Sequence, residues 1–130
     1  MKNFIFLFLL ASFSLYSSEC LSPKLKPKAL HKLKVEFNTK TSALEKLIID
    51  NPNNSSLVTQ AQFELGKLAY EYAKKNNDIY AYSYSYNSFK KSLNNLKNAL
   101  ELTEEEKILI EKMSQNSMEE LERIIRHLNP

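Results

Sequence analysis

Apolar residues recur at three- and four-residue steps along most of this chain, with polar residues filling the intervals. That spacing marks helices with one buried stripe. Leu30, Leu33, Phe37, Leu44, Leu47 and Ile48 outline the first. The poor helix formers from Asn38 to Ser42 interrupt it, and Ser42 with Glu45 forms a candidate capping box, so a second start is expected at Ser42. Pro52, inside Asp50-Asn51-Pro52-Asn53-Asn54, disfavours helical geometry at Asn51 and predicts a stop.

A second helix is expected from Ser55 or Ser56 to Lys75, with Leu57, Ala61, Leu65, Leu68 and Tyr72 on one face. Phe63, Gly66 and Tyr70 extend the apolar surface to an adjoining face, which predicts neighbours on two sides. Asn76-Asn77-Asp78 reads as a turn, with Asp78 a candidate N-cap. Tyr80, Tyr82, Tyr84 and Tyr86 alternate with small residues, a strand-like period of two. The longer window overrules it: Ile79, Tyr82, Tyr86, Phe89, Leu93, Leu96 and Leu100 keep helical steps and predict a helix over 79–100. Tyr80 and Tyr84 then lie one turn apart on its flank. Thr103 and Glu106 form a further capping box, and three carboxylates at 104–106 suit the positive end of a helix dipole. Ile110, Met113, Ser117, Leu121, Ile124 and Leu128 carry that last helix to the C-terminus.

The expected fold is therefore all-α, built of about four helices in antiparallel hairpins. Composition agrees. One Gly, four Pro and no Trp among 130 residues leave too few turn formers for a sandwich or barrel. The single Cys excludes an intramolecular disulfide framework or a Cys-rich zinc site.

The N-terminus breaks the pattern. Lys2 precedes an almost uninterrupted apolar run from Phe4 through Tyr16, about 13 residues, with Ser17 and Ser18 after it. That is the build of a secretory signal, and too short for the ~20 residues that span a bilayer. Residues 1–18 are read as the signal, 19–28 as a basic, proline-containing tether, and 29–130 as one domain. Cys20 stands where a bacterial lipoprotein carries its lipid, although Glu19 occupies a position usually held by a small residue. Cys20 is thus the candidate lipidation site. The tether reads first as a solvated spacer, because the run is short; the alternative is membrane attachment, since each Lys near an anionic surface contributes ~1 kcal/mol. Lys outnumbers Arg sixteen to two, a bias of AT-rich bacterial genomes.

The net charge of +3 is unevenly spread. Residues 21–40 carry six Lys against Glu36, whereas residues 41–130 carry 11 basic and 13 acidic side chains. A slightly acidic domain does not suit a nucleic-acid partner, which requires phosphate neutralisation. His31 and His127 stand far apart in sequence, and no HExxH, GxSxG, P-loop or EF-hand pattern occurs. The reading is a chain that is not an enzyme, with no cofactor and no metal.

Two helical segments resemble the tetratricopeptide repeat, whose paired helices carry W-x2-L-G-x2-Y and A-x3-F. Here Gln62-x2-Leu65-Gly66-x2-Ala69 keeps the Leu-Gly pair, with Tyr70 one place late, and Ser85-x3-Phe89-x2-Ser92 keeps a small–large–small order. The run from Leu47 to Ser55, followed by Ala61-x3-Leu65-Gly66, looks like the inter-repeat junction of bacterial envelope proteins of this type. Those proteins are outer-membrane-assembly lipoproteins and periplasmic coordinators. The resemblance covers residues 43–93, and the separation of Gly66 from Phe89 exceeds the standard repeat by about two turns. It implies a short array of stacked helix pairs that holds envelope protein partners, with Leu65, Gly66 and Phe89 as helix-packing residues. One and a half repeats fall short of the ~3 that a solenoid needs, so flanking helices cap the unit or a homo-oligomer completes it.

Candidate partner-binding residues are Tyr80 and Tyr84 on the flank of the third helix, with Phe63 and Tyr70 as the second choice. The function expected is an adaptor or assembly factor of the bacterial envelope. The alternative is a surface-exposed helical lipoprotein that binds host or environmental ligands.

Overall fold

Pro27 opens the first helix, in the first turn, where an N–H has no intrahelical partner to lose. The computed structural model describes residues 27–128 as four helices: α1 (Pro27–Asp50), α2 (Ser55–Asn76), α3 (Ile79–Leu96) and α4 (Glu104–Leu128). The expected signal, Cys20 and all but the last two residues of the expected tether lie outside the described residues. Among the described residues there is no strand, and no helix is long and apolar enough to cross a membrane. The chain is all-α, and each helix packs on its predecessor: α2 on α1, α3 on α2, α4 on α3.

α1 does not break at Asn38–Ser42. Thr39 Oγ1 donates to the Val35 carbonyl at 2.8 Å, and Thr41 Oγ1 to that of Phe37 at 2.9 Å. These hydroxyls bond back into their own helix, so residues of low propensity continue it. The cap of α2 is Asn54, whose side chain accepts from Leu57 N at 3.1 Å. At its other end Asn77 takes the left-handed conformation (φ 50°), a conformation Asn tolerates at a helix C-terminus. Asp78 Oδ1 then accepts from the amides of Tyr80 and Ala81 and starts α3.

α3 ends at Leu96, one turn earlier than its apolar spacing predicts. Three turns follow, with bonds from Asn98 N to Asn95 O, Ala99 N to Leu96 O, and Leu102 N to Ala99 O. They bury Ala99 and Leu102 in the core and leave Leu100 82% exposed. Glu101 N donates to Ser56 Oγ, tying this connection to the start of α2. The α4 capping box is formed both ways, with Glu106 N donating to Thr103 Oγ1 and Thr103 N to Glu106 Oε1.

The crossing of α2 and α3 is close because residue 66 has no side chain. A Cβ there would stand 2.8 Å from Phe89 Cδ1, inside van der Waals contact. Ser85 Oγ donates to the Gly66 carbonyl at 2.6 Å and Ser92 Oγ to the Thr59 carbonyl at 2.8 Å. Small residues on α3 thus bring the helices together, and Phe63 meets Phe89 edge-on at 5.9 Å. Leu65, Gly66 and Phe89 are all packing residues here, and Leu65 and Phe89 are at most 2% exposed.

Candidate functional site

The alternating tyrosines are distributed by helical rotation, since two residues turn a helix by about 200°. Tyr82 points inward and meets Tyr70 edge-on at 6.2 Å. Tyr86 reaches α4, where its hydroxyl donates to Glu122 Oε1 at 2.9 Å. Tyr84 reaches the other way and donates to Glu45 Oε2 on α1 at 3.0 Å. Tyr80, on the same side as Tyr84, is 84% exposed.

α1 and α3 both rest on α2, and a groove runs between them. Its first chamber holds about 310 Å³ and is lined by α1 (Lys34, Phe37, Asn38, Thr41, Glu45), by Tyr72 of α2, and by Asp78, Tyr80, Ala81 and Tyr84. The second holds about 300 Å³, between Glu45, Ile48 and Ile49 of α1, Gln62 and Leu65 of α2, and Tyr84, Asn87, Ser88 and Lys91 of α3. Both chambers share Glu45 and Tyr84, so the hydrogen bond between these two residues stands where the chambers meet.

Phe37 and Tyr72 stack in the first chamber, with ring centroids 4.2 Å apart and planes 12° from parallel. Burial raises the Tyr72 hydroxyl above the ordinary tyrosine range, with the Asp78 carboxylate adding to it. Burial also raises Tyr84, and the Glu45 carboxylate that accepts its hydrogen bond strengthens the effect. Both phenols remain donors through the physiological range. Glu45 and Asp78 each accept from uncharged donors of this chain, the Tyr84 hydroxyl and the Tyr80 and Ala81 amides respectively.

Sequence reasoning brought Tyr80 and Tyr84 to one flank, and the structure places both on this groove. Phe63 and Tyr70 do not belong to it. Phe63 is fully buried against Phe89, and Tyr70 is 9% exposed against Tyr82, so both are core residues rather than a second docking face. The α1 half of the groove escaped the sequence reading altogether, because Glu45 and Tyr84 are 39 residues apart.

A buried ion pair also escaped it. Lys67 Nζ lies 2.8 Å from Glu64 Oε2, with both side chains 2% exposed, and the ammonium stands 4.7 Å from the Phe63 ring centroid. Burial pushes Glu64 up to about 7 and moves Lys67 down, while each charge favours ionisation of the other. This pair lies on α2 and does not line the groove. His31 and His127 are exposed. Among the described residues no three His, Cys, Asp or Glu side chains gather where they could hold a metal ion.

The chain matches no protein-family model, no curated protein and no solved structure.

Proposed function

We propose that this protein is a non-catalytic protein–protein interaction module of the bacterial cell envelope, an adaptor or assembly factor that grips its partner in the groove between α1 and α3. The observation that carries this reading is Tyr80. A side chain so large and 84% exposed contributes little to the fold, yet stands at the lip of an aromatic groove. Tyrosine supplies large contact area with a polar tip, and such residues dominate protein interfaces. Stacked helix hairpins and the contact between residue 66 and Phe89 support the tetratricopeptide-like reading of these helices. The signal-like N-terminus supports export.

The test is photo-crosslinking in intact cells. A crosslinking residue at Asn38 or Asn87, on opposite lips, is expected to give the same discrete protein adduct. The same probe at Lys112, exposed on α4, is expected to give none. Adducts from all three positions alike, or from Lys112 alone, would overturn the groove as the binding surface.

A second reading rests on Cys20. Lipidated there, the chain would be a surface lipoprotein whose groove faces host or environmental ligands. Metabolic labelling with a palmitate analogue, lost in Cys20→Ala, together with protease shaving of intact cells, separates the two.

A further inference from the structure

The first chamber of the groove has a more specific chemistry than its size requires. Four aromatic side chains line it, Phe37, Tyr72, Tyr80 and Tyr84. Two carboxylates, Glu45 and Asp78, face one ammonium, Lys34, leaving one net negative charge. Each carboxylate already has one oxygen occupied by this chain. Glu45 Oε2 accepts from Tyr84, and Asp78 Oδ1 accepts from the Tyr80 and Ala81 amides. Those bonds fix the two groups without neutralising them, since none of the three donors carries charge. Aromatic faces attract cations through their quadrupole, and a carboxylate held in place accepts an N–H without first being ordered.

We infer that this chamber takes an arginine side chain of the partner protein. Arginine is preferred to lysine because its planar guanidinium stacks on a tyrosine face and presents several donors to a carboxylate, whereas an ammonium is a compact, strongly hydrated charge. Tyr80 is the side chain free to stack on the guanidinium, because Phe37 and Tyr72 are occupied with each other and Tyr84 is tied to α1. The Glu45 carboxylate is the acceptor, and Tyr84 holds it in position. Lys34 repels a second positive charge, so the chamber accepts one basic residue rather than a polybasic run. This inference rests on the groove being the partner-binding surface.

The experiment compares two blocked tripeptides, acetyl-Gly-Arg-Gly-amide and its citrulline counterpart, titrated into the isotope-labelled full-length chain. Citrulline has the shape of arginine without the charge. The arginine peptide is expected to shift the Tyr80 and Ala81 amide resonances saturably in the millimolar range, with the citrulline peptide ~10-fold weaker. Glu45→Gln keeps an acceptor for Tyr84 and removes the charge; it is expected to reduce the arginine affinity ~10-fold while leaving the unfolding midpoint in place. Tyr80→Ala is expected to do the same. Equal binding of arginine and citrulline, saturable shifts confined to another surface, or no saturable shift at all would overturn the inference. A groove crosslinked to a protein in cells, with no preference for arginine here, would leave the interaction module standing and this specificity refuted.

Discussion

Ser85 Oγ donates to the Gly66 carbonyl across 2.6 Å, where α3 packs on α2. The Phe89 ring covers the same spot and would stand 2.8 Å from any Cβ on residue 66. Gly66→Leu is therefore expected to destabilise the chain by about 2 kcal/mol or more, because overpacking at the crossing outweighs the ~1 kcal/mol gained in helix propensity. Ser85→Ala removes only the hydrogen bond and is expected to cost ~1 kcal/mol. Urea unfolding of the two variants checks the order. A Gly66→Leu chain as stable as the parent would mean that Phe89 moves aside freely.

Asp78 both starts α3 and lends charge to the groove. Asp78→Ala is expected to lose ~1 kcal/mol of stability with the cap. Asp78→Asn keeps an oxygen for the Tyr80 and Ala81 amides and is expected to stay within about 0.5 kcal/mol of the parent. Denaturant midpoints distinguish the two, and an equal loss in both would show that the carboxylate charge, rather than the cap geometry, stabilises α3.

Alkaline pH is expected to weaken the fold. Burial raises Tyr70 and Tyr84, each then reinforced by a glutamate, Glu120 and Glu45 respectively; for Tyr86 the hydrogen bond to Glu122 comes first. In the unfolded chain these phenols titrate near 10. Between that value and their higher folded values the folded chain binds more protons, so stability falls as pH rises. The contribution is complete below about pH 10 and is lost progressively above it. Urea midpoints measured from neutral pH to pH 11 check this, and the slope is expected to be shallower in Tyr84→Phe with Tyr86→Phe. An identical slope in that double variant would place the alkaline loss elsewhere, with Tyr70 the next phenol to test.

Several features of this fold were legible because each is specified within a few residues. Asp78 and the Thr103–Glu106 capping box carry their signal in adjacent positions, and the 79–96 spacing outweighs the strand-like tyrosine alternation once the window is long enough. The same locality explains the errors. Asn38 to Ser42 has low helix propensity, but Thr39 and Thr41 donate to carbonyls one turn back and α1 continues. Leu100 fits the helical step, yet Ala99 and Leu102 take the buried positions and turn Leu100 out to solvent. The groove was half legible: the Tyr80 and Tyr84 flank follows from rotation along one helix, whereas Glu45 and Phe37 arrive by tertiary packing. The burial of Glu64 and Lys67 has no local signature either, because an i,i+3 charge pair reads the same on an exposed helix.

The measurement that tests the account most directly is the crosslink from Asn38 in cells expressing either the parent chain or Tyr80→Ala, with unfolding of both followed in parallel. Truncating an exposed anchor at an interface costs ~2 kcal/mol or more of association, whereas truncating an exposed side chain that packs on nothing leaves stability within about 0.5 kcal/mol. The predicted result is a discrete adduct whose yield falls sharply in Tyr80→Ala at an unchanged unfolding midpoint. An adduct of undiminished yield would contradict a partner gripped at this groove, and a lowered midpoint would contradict Tyr80 as a residue reserved for binding.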